Sequence, residues 1–200
     1  MTDQRQADAL IQMRDVLHDS FLALDVVRST AEEDFAAGVC RLTASVCVKT
    51  TDEVFEVRSE GVGTVAAFFA GLRARYQGEH PSLKSLVFTH FDVRGLVDES
   101  GNGSRTDAHA RATVGLTNSY GREFLFVAET ASVGRSSLQA VAGGVAYFVN
   151  SERAYITMYN ALAHYREAGR TDLVTKYTSM LAEMVRNTSY SEVIERMKLP

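Results

Sequence analysis

"FTHFDVRGLVDESGNGSRTDAHARATVGL" occupies residues 88–116 and decides how the chain is expected to fold. Two runs of alternating apolar and polar residues flank a break rich in Gly, Ser and Asn, which is typical of two antiparallel strands and their connection. Ionisable side chains stand at every second position of each run: His90, Asp92 and Arg94 in the first, and Asp107, His109 and Arg111 in the second. Each trio therefore lies on one face of its strand, and that face is either catalytic or in contact with water.

The two-residue period extends on both sides of this stretch. It predicts four strands, separated by "ESGNGS", "NSYGR" and "GRSS", over residues 85–98, 106–118, 122–133 and 138–150. Runs of this length favour a strongly curved antiparallel sheet, with bulges near Gly95, Gly115 and the pair Gly143–Gly144.

The rest of the chain favours helices. Apolar residues at steps of three and four predict a helix over residues 5–28, and Thr30 with Glu33 forms a capping-box pattern that predicts a second helix. Residues 45–61 indicate a short hairpin, and Thr64 precedes a third apolar helical stripe. Residues 152–200 predict two further helices, broken at "AGRTD".

Composition is that of an ordinary globular protein. The chain has 200 residues, of which 46% are hydrophobic and 23% charged, and no internal repeat is evident. We therefore expect an α+β domain over residues 1–150 and a helical extension over residues 151–200, packed on the domain or on a partner subunit. A net charge of -4 gives no general attraction to nucleic acid, which is not an expected partner.

Two cysteines, Cys40 and Cys47, stand among small or apolar residues without a CxxC spacing. We expect them to be core thiols, and neither a metal site nor a cofactor is expected. The N-terminus lacks the apolar stretch of a signal peptide, and no run approaches the ~18 apolar residues that span a bilayer. A cytoplasmic protein without a membrane partner is the expectation.

Three segments carry a resemblance to a known family: "TAEEDFAAGVCRLTASVCVKT", "SEGVGTVAAFFAGLRARY" and "THFDVRGLVDESGNGSRTDAHARATVGL". They are similar to segments of the nuclear-transport-factor-2-like superfamily, which includes the SnoaL-like cyclases. The resemblance covers residues 5–150 and implies a cone: N-terminal helices packed in a curved antiparallel sheet, with an apolar pocket at the wide end.

The resemblance implies a shape that isomerases, dehydratases, cyclases and plain dimerisation modules share, and for this chain we expect a non-catalytic binding or dimerisation module. We expect a homodimer that pairs through the outer sheet faces, and a pocket for a small apolar ligand or a protein partner. The residues expected to contact a ligand are Phe68, Phe69, Leu72, Phe88, Tyr120 and Tyr147.

A cofactor-free isomerase or dehydratase is the alternative. His90 would act as a general base with Asp92 beside it, if their face lines the pocket. Otherwise that face is the outer sheet surface, where cross-strand pairs contribute only about 0.2–1 kcal/mol each. Isomerase-like members of the superfamily often carry an acid after the second helix, where this chain has Thr43 and Ser45. Alanines alternate with His109 and Arg111, which favours an outward position for His109.

The tail supports a second alternative, an RNA-associated assembly factor. Residues 157–181, "TMYNALAHYREAGRTDLVTKYTSML", are similar to one pentatricopeptide repeat, and arrays of such repeats bind single-stranded RNA. A single copy is too short to form an array, because about three are needed to bury a continuous core. A helical hairpin docked through its apolar side is the other interpretation of this segment.

Overall fold

The chain builds one arrangement twice: three antiparallel strands followed by a helix. A computed structural model describes residues 4–96 and 109–187. The elements in chain order are α1 (Gln4–Leu17), β1 (Leu24–Asp34), β2 (Val39–Val48), β3 (Glu53–Gly61), α2 (Thr64–Tyr76), β4 (Val87–Leu96), β5 (His109–Thr117), β6 (Glu123–Thr130), α3 (Val133–Glu167) and α4 (Thr171–Asn187). Short 3-10 turns precede β1, at His18–Ser20, and β4, at Pro81–Ser85.

Each triplet of strands forms its own antiparallel sheet. Sheet 1 has the order β1-β2-β3 and sheet 2 the order β4-β5-β6. The first strand of each sheet carries an irregularity, between Val26 and Arg28 in β1 and between Phe88 and His90 in β4. An extra residue there moves the following side chains to the opposite face relative to strict alternation.

One face of each sheet is buried against the helices. In the central strand β2 the buried residues are Cys40, Leu42, Ala44 and Val46, and in the central strand β5 they are Ala110, Ala112, Val114 and Leu116. Helix α2 packs on β2 and β3, whereas α3 packs on β5, β6 and the edge of β1. Because the small side chains of β5 allow close approach, α3 lies directly over sheet 2.

Helix α3 also completes the edge of sheet 1 with two side-chain amides. The Asn150 Nδ2 group donates to the Leu22 carbonyl at 2.8 Å, and the Leu22 N–H donates to Asn150 Oδ1 at 2.7 Å. Three turns earlier, Gln139 Nε2 donates to the Leu24 carbonyl at 2.8 Å and accepts from the Val26 N–H at 2.9 Å. These amides take the place of a neighbouring strand, so the polar edge of β1 is satisfied where the helix covers it.

The α+β class is confirmed, and so are several expected elements. The hairpin ending at Gly61, the helix beginning near Thr64 and the strands corresponding to β4, β5 and β6 are present. The C-terminal helical hairpin is confirmed too, because α3 ends at Glu167 and Gly169 adopts a φ of 67° before α4 starts.

The expected second helix is wrong, because β1 and β2 form a hairpin there. The first helix is also shorter than expected, ending at Leu17. The side chain of Asp34 accepts hydrogen bonds from the N–H groups of Ala36 and Ala37, and Gly38 takes a φ of 65°. This turn chemistry overrides the capping-box pattern, since Asp and Gly stabilise a tight reversal more readily than helix continuation.

The fourth expected strand, residues 138–150, is also wrong and lies within α3. This part of the helix is buried on nearly all sides, so its continuous apolar run has no polar face to reveal the helical period. The six strands form two separate three-stranded sheets in place of the single curved sheet that was expected. The expected domain boundary after residue 150 consequently falls inside a continuous helix.

None of the helices in residues 4–96 and 109–187 contains an apolar stretch long enough to cross a membrane.

Candidate functional site

A cavity of about 440 Å³ lies between α1, α3, the start of β1 and the edge of sheet 2 at β6. We call it the α1–α3 cavity. Its lining residues are Gln6, Ala7, Leu10, Arg14, Phe21, Leu22, Ala23, Leu24, Lys49, Phe126, Val127, Ala140, Gly143, Ala146, Tyr147 and Asn150. Most of this wall is apolar, and its volume falls within the range of small-molecule pockets.

Small residues on α3 create the space. Ala140, Gly143 and Ala146 follow one another at steps of three, so they share one side of the helix and face the cavity. A Cβ atom at Gly143 would meet no heavy atom within 4 Å, whereas one at Gly144 would lie 2.8 Å from Leu116 Cδ1. Gly144 thus allows close packing on sheet 2, and its neighbour leaves room on the other side.

Two of the polar lining residues are already engaged by the fold. The Gln6 side chain donates to the Leu125 carbonyl at 3.0 Å, which ties α1 to the edge of β6. The Asn150 amide accepts a hydrogen bond from the Leu22 N–H and donates one to the Leu22 carbonyl. Neither amide has a structural reason to turn toward a ligand.

Two cations, Arg14 and Lys49, are the other polar lining residues with long side chains. Both are exposed, so they stand at the mouth of the cavity. The Arg14 guanidinium carbon lies 5.1 Å from the centre of the Phe21 ring, and the Lys49 N–H donates to the Ala23 carbonyl at 2.8 Å. Within the part of the chain that the structure describes, neither cation forms an ion pair.

The six expected ligand-contacting residues are not brought together. Phe68 and Leu72 are fully buried and belong to the core. The Phe69 and Phe88 rings pack on each other with centroids 5.9 Å apart. Tyr120 is exposed at the turn between β5 and β6.

Of these six, Tyr147 lines the α1–α3 cavity. Its ring lies 5.7 Å from that of Phe124 and 5.5 Å from that of Phe126. A separate groove of about 500 Å³ lies between α2 and β3, and none of the six expected residues lines it.

His90 and Asp92 lie on the outer face of sheet 2, not in the α1–α3 cavity. The irregularity in β4 separates Phe88, which faces the core, from His90, which faces out opposite Gly115. A Cβ atom at Gly115 would lie 2.6 Å from His90 Cβ, which explains the glycine and fulfils the expectation of a bulge near it. Asp92 accepts a hydrogen bond from Arg94 Nε at 2.8 Å, so its carboxylate is engaged in an exposed ion pair.

On the neighbouring strand the outward direction of His109 is confirmed. His109 and Arg111 both approach the Glu129 carboxylate, at 3.9 Å and 3.5 Å. The alternating residues Ala110 and Ala112 are buried beneath α3. Asp107 lies outside the described residues.

A second polar cluster is enclosed where α3 passes the turn before β4. Glu152 is fully buried, and its Oε2 atom accepts from the Ser82 N–H at 3.1 Å. The Glu152 Oε1 atom lies 3.6 Å from His80 Nδ1, and the side chains are 0% and 7% exposed, respectively. Because solvent hardly reaches this cluster, it braces the fold and is unsuited to contact a ligand.

Sequence patterns did not reveal the cavity. The predicted helix over residues 5–28 includes Leu10, Arg14 and Phe21, whereas in the structure Phe21 follows the turn after α1. The informative signal was the small-residue series of α3, which the strand interpretation concealed.

In the tail, Arg170 pairs with Asp172 at 3.0 Å, and the Tyr165 and Tyr177 rings contact each other across the hairpin, with centroids 5.5 Å apart.

Among residues 4–96 and 109–187, no three His, Cys, Asp or Glu side chains gather as metal ligands would. No protein-family model matches the chain, and no curated protein is significantly similar to it.

Proposed function

We propose that this protein is a non-catalytic binding module that holds a small apolar ligand in the α1–α3 cavity. The observation that carries the proposal is the mainly apolar space of about 440 Å³ in front of Gly143, where a Cβ atom would meet no heavy atom within 4 Å. Gly143 is exposed, so the space opens to solvent and a ligand can enter it, and its volume lies within the range of small-molecule pockets.

The test uses a side chain that fills the space. Gly143→Leu projects its side chain into the cavity, and Gly134→Leu is the matched control, because it lies on the same helix and its nearest neighbour for a Cβ is Ser132 Oγ at 3.9 Å. We expect the neutral apolar dye Nile red to bind the native protein and the control saturably, and to bind Gly143→Leu at least about tenfold more weakly. Circular dichroism checks that both variants fold.

A native protein that does not bind the dye would contradict the proposal. Undiminished binding by Gly143→Leu would do the same, since the dye would then occupy another surface.

We also propose that the protein forms a homodimer through the outer face of sheet 2. That face presents the exposed apolar residues Val87, Leu96 and Val127. It also carries charges of both signs, with the pair Asp92–Arg94 and the pair Arg111–Glu129. A surface that offers both signs beside apolar area can be complementary to itself across a two-fold axis.

The outer face of sheet 1 differs, because charged side chains occupy most of it. Its members include Arg28, Glu32, Arg41, Glu56, Arg58 and Glu60. Thr113 of β5 and Thr43 of β2 occupy the same place in the two sheets, at the centre of each outer face.

Arginine at these two positions gives a matched test of the dimer. We expect Thr113→Arg to be monomeric by size-exclusion chromatography with light scattering, since it places a charge at the centre of the interface. Thr43→Arg should have the mass of the native dimer. A native monomer, or a dimer that survives Thr113→Arg, would argue against this interface.

The enzyme and RNA alternatives remain predictions with less support. An isomerase using His90 would have to act on an exposed sheet face with Asp92 already bound to Arg94. An RNA-binding tail would rely on Arg166 and Arg170, and Arg170 is paired with Asp172. Loss of turnover in His90→Ala, or RNA binding that weakens steeply with salt, would revive them.

A further inference from the structure

We propose that the ligand of the α1–α3 cavity is a small amphipathic acid, with its apolar tail inside and its carboxylate between Arg14 and Lys49. This inference rests on the proposed function and adds the chemical class of the ligand. It follows from a difference between the polar lining residues: the amides of Gln6 and Asn150 bind the protein backbone, whereas the cations Arg14 and Lys49 are exposed to solvent.

The first step concerns which polar groups a ligand can use. The Gln6 amide donates to the Leu125 carbonyl, and the Asn150 amide donates to and accepts from the Leu22 backbone, so the fold fixes the orientation of both side chains. Arg14 and Lys49 are the charged residues of the lining, and within the described residues neither side chain forms an ion pair. A ligand that matches this wall must be apolar along most of its length and anionic at one end.

The second step concerns how the two cations come together. Arg14 belongs to the last turn of α1, and its guanidinium is held against the Phe21 ring at 5.1 Å. Lys49 directly follows β2, and its backbone extends the β1–β2 ladder through Ala23. Two separate elements thus bring like charges to one cavity mouth, in a protein whose net charge is -4.

An anionic group at this mouth would be attracted by both cations. Arginine suits a carboxylate in particular, because its planar guanidinium can donate two parallel hydrogen bonds. The cavity wall would receive the tail, which gains free energy of about 25 cal/mol per Å² of apolar surface removed from water. The head group remains at the mouth, where it keeps part of its hydration.

The test compares three probes that share one tail: decanoate, decanol and decylammonium. Each is titrated against the native protein in competition with Nile red. We expect decanoate to bind at least about tenfold more tightly than decanol, because charge-assisted hydrogen bonds are stronger than neutral ones, and decylammonium to bind most weakly.

Two variants and a control locate the head group. Arg14→Gln and Lys49→Gln should each weaken decanoate binding by about three- to tenfold and leave decanol and Nile red unchanged. Arg28→Gln is the control, because Arg28 is an exposed cation of β1 outside the cavity, and it should bind decanoate as the native protein does.

The outcomes separate this inference from the proposed function. If decanol and decanoate bind equally, or if both glutamine variants bind decanoate normally while Gly143→Leu does not, the acid is wrong and the apolar site stands. If no probe with this tail displaces the dye and the dye binds regardless of Gly143→Leu, the proposed function fails as well.

Discussion

Glu152 shows how a single residue can hold the two halves of the chain together. It comes from α3, it is fully buried, and its partners His80 and Ser82 belong to the turn that introduces β4. A buried carboxylate is tolerated only where hydrogen bonds or an opposite charge compensate for lost hydration. Here the Ser82 N–H provides that compensation at Oε2, whereas Oε1, 3.6 Å from His80 Nδ1, has no hydrogen-bond partner among the described residues.

Glu152→Ala should therefore destabilise the protein strongly. We expect its free energy of unfolding in urea to fall by about 3 kcal/mol, since the change leaves the buried Ser82 N–H without its acceptor and opens a cavity beside His80. Glu152→Gln keeps an acceptor for Ser82 and should cost less than half of that. Equal losses in the two variants would show that volume, and not polar pairing, matters at this position.

Tyr155 gives a pH dependence with a defined sign. Burial raises the pKa of its hydroxyl above the ordinary value of 10.0, and the neighbouring Tyr159 adds to that effect. The folded state disfavours the phenolate, so the stabilisation is complete below pH 10 and is lost as the pH rises toward the folded-state pKa. We expect the urea midpoint to fall above pH 10, and to fall less in Tyr155→Phe.

Tyr76 has a pKa raised mainly by burial as well, so part of that fall should persist in the variant. The range from pH 9 to pH 11 extends about one unit to each side of the ordinary tyrosine pKa. A urea midpoint that does not change over this range would contradict this account.

Among the elements, α3 contributes to most of the structure. It covers β5 and β6 with one side and satisfies the edge of β1 with the amides of Gln139 and Asn150. An edge strand with free N–H and C=O groups can pair with other chains, and covering it removes that hazard. The amides achieve this without a further strand.

Removing the Asn150 amide should lower the free energy of unfolding more than removing the Gln139 amide. Asn150→Ala leaves a buried N–H and C=O of Leu22 unpaired, and we expect a loss of about 2–4 kcal/mol in the free energy of unfolding. Gln139→Ala acts at a partly buried site and should cost about half as much. Chemical denaturation measures both, and a larger loss for Gln139→Ala would contradict the importance assigned to Leu22.

Element prediction from this sequence succeeded where polar residues mark the period. The strands β4 to β6 alternate clearly, because one face meets water and the other meets α3. Two elements failed for opposite reasons. The middle of α3 is buried at most positions and has no polar face that would show its period. The second half of β1 is exposed, so "AEED" there has a helix-like composition.

The candidate site was harder to predict than the fold. A cavity forms where helices and strands from distant parts of the chain leave a gap between them. The residue types within one segment do not predict such a gap. Arg14, Lys49 and Gly143 are distant in sequence and belong to three elements. The ionisable face of β4 was easy to find, yet the irregularity after Phe88 determines that His90 points to the outside.

At the scale of the whole molecule, α3 joins both sheets into one cooperative structure. The helix contacts β1, β5, β6 and α2, and no described segment separates the two strand triplets as a linker would. We expect one unfolding transition, with coincident midpoints by far-ultraviolet and near-ultraviolet circular dichroism. Two resolved transitions would indicate that the triplets unfold independently.

The two strand triplets differ in the element that precedes each of them in the chain. Helix α1 stands in front of the first triplet, whereas only the short turn Pro81–Ser85 stands in front of the second. If a helix equivalent to α1 preceded the second triplet, we would expect a second cavity of the same kind there. Because α1 supplies one wall of the α1–α3 cavity and belongs to neither sheet, substitutions in α1 can reshape this cavity while both sheets keep their structure.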